Sequence, residues 1–193
     1  IGGFSIYNEN FGYFNDPAKE FVAVFFMLMA ATNFGLHFLS FTKRSFKYYL
    51  ANDELKLFLT IIFVVVLVSA LTLYVKEEFS IKDSIRYGFF QSISIVTTTG
   101  YTLEPLSGLG GTIGFLIFIL AFIGACSGSV GGGMKVWRVL LMIKVGFSNI
   151  TKIIHPSAIS SVKLNGEKVV SSQIEAVFSF IAIYISFFLL FMF

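Results

Sequence analysis

The sequence has few charged residues, and this scarcity excludes most soluble proteins. Asp, Glu, Lys and Arg make up 13% of the 193 residues, whereas soluble domains carry about 25%. So few charges cannot cover a water-soluble fold, which makes lipid the natural surroundings. The net charge of +3 could suggest nucleic acid, but the basic residues lie between apolar runs and form no basic face. We therefore expect no nucleic-acid partner.

Patterns typical of enzymes and metal sites are also lacking. The single cysteine, Cys126, excludes an internal disulfide, and two widely separated histidines offer no metal-ligand spacing. The segment from Gly128 to Lys135 superficially matches the phosphate-binding pattern G-x-x-x-x-G-K-[ST]. However, Met134 precedes the lysine and Val136 follows it, where Ser or Thr should bind magnesium. We predict no enzyme activity, no cofactor and no transition-metal site.

Long apolar stretches dominate the chain instead. Crossing the hydrocarbon core takes about 20 apolar residues in a helix, and four stretches qualify: Phe21–Thr42, Leu57–Val75, Leu106–Met134 and Ala176–Phe193. Buried helices of a large soluble protein are the alternative, but four in so short a chain favour a multi-pass membrane protein. Ten of the 14 Lys and Arg residues fall on one side of this topology, which the positive-inside rule assigns to the cytoplasm.

The segment Ser80–Ile95 does not fit the spanning pattern. It is compatible with a helix, begins with charges and is too short to cross. Ser80 with Asp83 three residues later predicts an N-terminal cap. Because both ends face the outside, we expect the segment to enter the membrane and return. Irregular backbone at that depth is tolerated only when buried in protein or lining a water-filled path, so the Thr-Thr-Thr-Gly that follows is a candidate pore loop.

The chemistry of this loop suits a cation. Backbone carbonyls of an extended loop can replace the water around a dehydrated ion, and Gly100 permits the backbone angles that this requires. The C-terminal end of the preceding helix carries partial negative charge. The N-terminal Gly3-Phe4-Ser5 aligns with Gly100-Tyr101-Thr102, and a long apolar helix ending in basic residues follows each loop, which indicates an internal repeat. A threonine-rich turn that merely caps a helix is the structural alternative.

These observations define a candidate ion filter with ligands and supporting residues. The predicted ion-binding residues are Ile1, Gly2, Gly3, Thr98, Thr99 and Gly100. The residues expected to support them are Phe4, Ser5, Thr97, Tyr101 and Thr102. Since residue 1 is not Met and the last residues still lie in an apolar run, we expect the chain to be a piece of a longer protein.

A glycine-rich break interrupts the third apolar stretch. Each glycine costs about 1 kcal/mol relative to alanine in a helix, and the backbone groups it frees need partners or water. We therefore predict a loop that lines the pore below the filter and acts as a gate; close packing of small residues is the compatible alternative. The predicted loop comprises Gly124, Ala125, Cys126, Ser127, Gly128, Ser129, Val130, Gly131, Gly132 and Gly133. Lys135 and Arg138 are expected to mark the cytoplasmic interface, with a direct gating contact as a second hypothesis.

Three further features lie outside the candidate filter and loop. The alternation around Asn165-Gly166 predicts a hairpin in the polar connector 149–172, which is either a compact link or a docking surface. Asn33 and His37 lie one turn apart, and we favour a hydrogen bond between helices over a position in the pore. Glu104 is either a cation-concentrating charge at the outer mouth or a solvated loop charge.

Several motifs together resemble a known family. GGFSIYNENFGYF, FFQSISIVTTTGYT, GACSGSVGGGMKVWRVLLMIK and IIHPSAISSVKLNG are similar to segments of the Trk/Ktr/HKT superfamily of potassium transporters, and within it of the bacterial TrkH-type pore subunits. The resemblance implies four repeats in one longer chain. Residues 1–48 would end the second repeat, 49–148 would form the third, 149–172 the cytoplasmic connector, and 173–193 the first helix of the fourth.

The resemblance implies an all-α integral membrane fold of repeated helix–pore loop–helix units, like those of potassium channels. It also implies potassium uptake across the bacterial inner (cytoplasmic) membrane, a homodimer and a cytoplasmic ring of nucleotide-binding regulatory subunits. Glycine at each filter position goes with potassium preference in that family, and Gly3 and Gly100 agree. Two alternatives remain open: a sodium-selective or sodium-coupled member, and a membrane scaffold or enzyme that uses its glycine loops for packing only.

Overall fold

The computed structural model describes residues 2–76, 79–103, 115, 119–155 and 161–192. Helices dominate this part of the chain, as the sequence predicts. The chain divides into two compact units, Ile1–Val136 and Trp137–Phe193. The first unit contains both candidate filter strands and the glycine-rich loop.

The first predicted span is wrong as one continuous helix. After a 3-10 turn at Asn10–Phe14, helix α1 (Pro17–Ala31) and helix α2 (Phe34–Thr42) meet at a bend of 95°. The side chain of Asn33 caps α2 by accepting the N–H of Gly35 at 2.7 Å. The N–H of Phe34 donates to a carbonyl far along the chain rather than to one in α1. The bend therefore depends on partners that the local sequence does not contain.

The next helices lie close to their predicted positions. A short helix α3 (Lys47–Ala51) leads into α4 (Asp53–Lys76), and α5 (Ile81–Val96) follows. Helix α4 begins before the predicted Leu57 because Asn52 caps it, accepting the N–H of Leu55 at 2.8 Å. Helix α5 confirms the helix predicted over Ser80–Ile95 to within one residue at each end. Its cap is also confirmed, since Ser80 Oγ accepts the N–H of Asp83 at 3.2 Å.

Helices α4 and α5 pack closely together. A side chain at Gly88 of α5 would lie 2.9 Å from the backbone nitrogen of Ala70 in α4, so only glycine allows this approach. Ser92 donates a buried hydrogen bond of 3.0 Å to Ser69 across the same interface. The core of the unit joins these helices to α1 and to the glycine-rich loop. It includes Val24, Met27, Phe58, Ile62, Phe90, Ile93, Ala125 and Cys126.

The described residues of the second unit form two helices and a hairpin. Helix α6 (Val136–Ile154) starts at the unit boundary and ends just before His155, and α7 covers Ser171–Met192. Strands β1 (Lys163–Leu164) and β2 (Glu167–Lys168) pair antiparallel. Asn165 and Gly166 between them both have positive φ, 50° and 85°, as the tightest hairpin turns require. The predicted hairpin is therefore confirmed.

Apolar side chains cover much of the surface of the described helices. Phe21, Phe26 and Phe63 are each more than 60% exposed, an arrangement that marks contact with lipid or protein. Helix α4 over Asp53–Val75 and α7 over Ser171–Phe191 are long and apolar enough to cross a membrane, and α1 with α2 qualify if counted as one broken span. Residues 106–114 and 116–118 of the predicted span Leu106–Met134 lie outside the described residues.

Candidate functional site

Helix α5 ends in the loop Thr97–Gly100, whose N–H groups fold back onto the helix. The N–H groups of Thr99 and Gly100 both donate to the Ser94 carbonyl, at 2.8 and 3.2 Å, and that of Thr98 donates to Ile95 at 2.9 Å. In a planar trans peptide the N–H and the preceding C=O point in opposite directions. The carbonyls of residues 97–99 are therefore directed away from α5.

The two candidate filter strands meet at their glycines. The N–H of Gly3 donates to the Thr99 carbonyl at 2.8 Å. A Cβ on Gly3 would lie 2.0 Å from the carbonyl oxygen of Gly100, and both glycines have positive φ, 65° and 85°. Glycine is thus required twice, for backbone conformation and for space. The structure brings together two loops that the sequence places far apart.

Thr98, in the candidate filter loop and next to the glycine-rich loop, has an unusual backbone conformation. Its φ of 57° is rare for a β-branched residue, and such strain costs about 1–3 kcal/mol. Its hydroxyl accepts the N–H of Gly132 at 2.8 Å. Beside it, the hydroxyls of Thr97 and Thr99 lie 2.9 Å apart and share a hydrogen bond. The strained residue is therefore also the residue that joins the filter loop to the glycine-rich loop.

A second support of the candidate filter strands was not predicted from the sequence. Asn10, in the 3-10 turn, donates from Nδ2 to the Gly3 carbonyl at 3.0 Å. The N–H groups of Phe11 and Gly12 donate to the Thr102 carbonyl at 3.1 and 3.3 Å, and the Phe11 ring packs 5.6 Å from that of Tyr101. The only local signal is that Asn tolerates positive φ, here 55°.

An ion pair also fastens α1 to α5. The guanidinium of Arg86 donates from Nε to Glu20 Oε2 at 2.8 Å and from Nη2 to Oε1 of the same carboxylate, and Nη2 also reaches Asn15 Oδ1 at 3.0 Å. Glu20 is only 5% exposed. Bidentate pairs of this kind fix geometry as well as charge. The sequence does contain a signal for this pair that was not used: α1 has an acidic residue, Glu20, near its start, and α5 has a basic residue, Arg86, near its start.

The glycine-rich loop fits into the bend between α1 and α2. The N–H of Cys126 donates to the Ala31 carbonyl, and that of Val130 donates to Ala30, both at 3.1 Å. In return, the N–H of Phe34 donates to the Gly128 carbonyl at 3.0 Å. The loop thus satisfies backbone groups that the broken helix leaves free, as buried helix ends require. The predicted interruption of the helix is confirmed, since the chain leaves helical geometry from Gly124 to Lys135.

Charged side chains of opposite sign hold the same loop. Glu54, in the first turn of α4 and 4% exposed, accepts the N–H of Ser127 at 2.5 Å. Lys135 donates from Nζ to the carbonyls of Gly131 and Ser129. The carboxylate of Glu54 therefore accepts a hydrogen bond from the loop backbone, while the ammonium of Lys135 donates hydrogen bonds to the loop carbonyls.

The ends of the glycine-rich loop touch each other, and the residue just before its C-terminal end lies near the candidate filter loop. A Cβ on Gly124 would lie 2.1 Å from the Gly132 carbonyl oxygen, and one on Gly133 would lie 2.7 Å from Gly124 Cα. A Cβ on Gly131 would lie 3.3 Å from the Thr97 carbonyl oxygen. Only glycine at positions 124 and 133 lets the backbone close this neck, and at Gly131 the closest obstacle to a Cβ is Ala125 Cβ at 2.4 Å.

The remaining candidate residues are distributed as follows. Ile1 and Glu104 lie outside the described residues, while Phe4 and Ser5 are exposed. Arg138 places its guanidinium 4.1 Å above the Phe180 ring, a cation–π contact.

The interhelical hydrogen bond expected at His37 is confirmed. Its Nε2 lies 2.9 Å from the Met29 carbonyl in α1, and its Nδ1 lies 2.7 Å from the Tyr49 hydroxyl in α3. This side chain is 8% exposed. Asn33, one turn earlier, caps its own helix.

The described residues contain a broken apolar helix, a short helix that ends in a Thr–Gly loop, and a glycine-rich loop packed against that loop. These features define a helical membrane protein built on pore loops. Comparison with known proteins gives the family. The model of the TrkH family, described as a cation transport protein, matches residues 1–193. The chain belongs to this family.

Relatives and a solved structure agree with this assignment. The chain is 34% identical over 190 residues to the Trk system potassium uptake protein TrkH of Halomonas elongata, covering 98% of this chain and 39% of that protein. It is 35% identical over 185 residues to TrkH of Escherichia coli K12, covering 95% and 38%. The crystal structure of the potassium transporter TrkH from Vibrio parahaemolyticus matches with a TM-score of 0.91 at 34% identity, over 98% of this chain and 41% of that one. The chain spans about two-fifths of the length of these relatives.

Proposed function

We propose that this chain forms part of a pore that takes up potassium across the bacterial cytoplasmic membrane. The observation that carries the proposal is the meeting of Gly3 and Gly100, each at positive φ and without room for a Cβ. Packing alone does not require two glycine-containing strands that meet at their backbones, one of them with its carbonyls directed away from the helix it follows. The printed names of the relatives, which describe potassium uptake and potassium transport, support potassium as the ion.

In this proposal the carbonyls of the two strands coordinate the ion. The Gly3 and Thr99 carbonyls each accept one hydrogen bond from the protein, and a carbonyl oxygen has a second lone pair available. The C-terminal end of α5 adds partial negative charge at the loop. These features favour a cation over an anion, and the repeats that lie beyond this chain would supply the other strands.

The glycine-rich loop is the proposed gate. Its Gly131 lies near the Thr97 carbonyl and its Gly132 is bonded to Thr98, so the loop contacts the filter loop at its base. Two non-glycine residues with positive φ lie at this contact and at the end of the loop, Thr98 with 57° and Lys135 with 77°. Strained residues of this kind often accompany segments with two arrangements.

The whole protein would be a multi-pass protein of the inner membrane with potassium as its substrate and no cofactor. By resemblance we propose a homodimer with a cytoplasmic ring of nucleotide-binding regulatory subunits. The relatives are named as parts of a Trk system, which fits such an assembly.

The test is Gly100→Ser in the full-length protein, with Gly146→Ser as the matched control because no atom lies within 4 Å of a Cβ at Gly146. Uptake of potassium and of sodium is measured in cells that lack other potassium transporters. We expect Gly100→Ser to lower the potassium-to-sodium ratio at least tenfold while the control keeps it. Unchanged uptake and selectivity would favour a scaffold that uses its glycines for packing, and a parent protein that prefers sodium would favour the sodium-transporting alternative.

A further inference from the structure

The carboxylate of Glu54 contacts the backbone in the middle of the glycine-rich loop. It sits in the first turn of α4, within a candidate membrane span, and is 4% exposed. Its Oε1 accepts the N–H of Ser127, in the middle of the loop, at 2.5 Å. Burying a charged group is costly unless it is hydrogen-bonded or paired, so this buried carboxylate calls for an explanation.

The other bonds of the loop show why one carboxylate matters. Backbone bonds from Cys126 and Val130 attach the loop to the end of α1, and one hydroxyl bond attaches Gly132 to Thr98. These bonds are between neutral groups, and each contributes about 1 kcal/mol. A hydrogen bond to a charged acceptor is roughly twice as strong. The contact with Glu54 therefore attaches the loop more strongly than any one of these neutral bonds does.

We propose that Glu54 is a positioning residue that holds the glycine-rich loop against the filter loop. The carboxylate fixes Ser127, and through it the short stretch that leads to Gly131 and Gly132 at the base of the filter. Neutralising Glu54 therefore releases the middle of the loop without changing any residue of the filter. The inference rests on the proposed gate for its effect on transport, but the position of the loop can be measured independently.

Cys126 provides the measurement, because it is adjacent to Ser127 and only 1% exposed. The reporter is the rate at which a methanethiosulfonate reagent modifies Cys126 in the full-length protein with any cysteines outside these 193 residues replaced. Glu54→Leu removes the acceptor, and Glu54→Gln keeps an oxygen of the same reach without the charge. Asp53→Asn is the matched control, since Asp53 lies beside Glu54 and pairs with Lys56 at 4.0 Å.

We expect Glu54→Leu to speed modification of Cys126 about tenfold to a hundredfold, the range that corresponds to losing a hydrogen bond to a charged group. Glu54→Gln should fall between Glu54→Leu and the parent protein, and Asp53→Asn should match the parent. Potassium flux without regulatory stimulation should rise in the same order. Midpoints of thermal unfolding in detergent identify any variant that has simply lost its fold.

The outcomes separate this inference from the proposed function. A rate for folded Glu54→Leu equal to that of the parent protein would overturn the role of Glu54. Faster modification with unchanged flux would support Glu54 as the anchor and contradict the loop as the gate. The filter assignment is decided separately by Gly100→Ser, which does not involve Glu54.

Discussion

The filter loop and the glycine-rich loop both interrupt an apolar part of the chain, but they are held in different ways. The filter loop returns its N–H groups to Ser94 and Ile95 of the helix it follows. The glycine-rich loop has local bonds from Lys135 to Ser129 and Gly131. It also depends on the α1–α2 bend, on Glu54 and on Thr98, which are remote in sequence. Local bonds persist as long as α5 persists, whereas remote bonds can break together while every helix stays folded. This difference supports the proposal of a filter that stays fixed and a glycine-rich loop that moves.

Gly3→Ala should have the largest effect, because it adds a side chain where the two candidate filter strands come closest to each other. Its Cβ would lie 2.0 Å from the Gly100 oxygen at a φ of +65°. We expect the free energy of unfolding to fall by about 3 kcal/mol or more, from backbone strain and overpacking together, and potassium uptake to be lost. Gly166→Ala separates the two causes, since its φ is +85° but no atom lies within 4 Å. Equal losses in the two variants would mean that the contact between the strands is not limiting.

Breaking the ion pair between Glu20 and Arg86 should have the next largest effect. Removing one partner of a buried pair costs about 3–5 kcal/mol, whereas replacing both is often nearly neutral. We therefore expect Glu20→Leu to lower the free energy of unfolding by about 3 kcal/mol and Glu20→Leu with Arg86→Met to recover at least half of it. Chemical unfolding in detergent gives both values. Additive losses in the double variant would show that the two side chains act separately.

Thr98→Val tests the bond that links the two loops. It keeps the shape and branching of the side chain but removes the hydroxyl that accepts the Gly132 N–H at 2.8 Å. A loss of about 1 kcal/mol should make modification of Cys126 roughly fivefold faster while thermal stability changes little. Thr60→Val is the control, because its hydroxyl bonds only within α4, to the Lys56 carbonyl. Identical rates in both variants would contradict a link through Thr98.

Tyr49→Phe should have the smallest effect and should leave both loops unchanged. It removes the 2.7 Å hydrogen bond to His37 Nδ1, worth about 1 kcal/mol. We expect a small fall in the unfolding midpoint, with parental selectivity and Cys126 reactivity. Tyr48→Phe is the matched control, as Tyr48 is adjacent and exposed. Altered selectivity in Tyr49→Phe would show that the bend region and the filter are coupled.

Features specified by neighbouring residues were predicted well. Ser80 and Asp83 mark the start of α5 whatever surrounds them, and Asn165-Gly166 forms its turn from its own backbone preferences. The break at Gly124 follows from the low helix propensity of glycine. By contrast, the bend between α1 and α2 needs the Gly128 carbonyl as a partner, and no periodicity in Phe21–Thr42 reveals it.

Sequence by itself determined the membrane environment, the short helix with its threonine–glycine loop, the hairpin and the glycine-rich interruption, because each depends on composition or on bonds between near neighbours. Tertiary structure alone decided that Gly3 meets Gly100, that Asn10 donates to the filter strand and that Glu54 holds Ser127. These contacts join residues far apart in the chain, and hydrogen bonds and steric limits act over a few ångströms. Only the folded backbone brings such groups within that range.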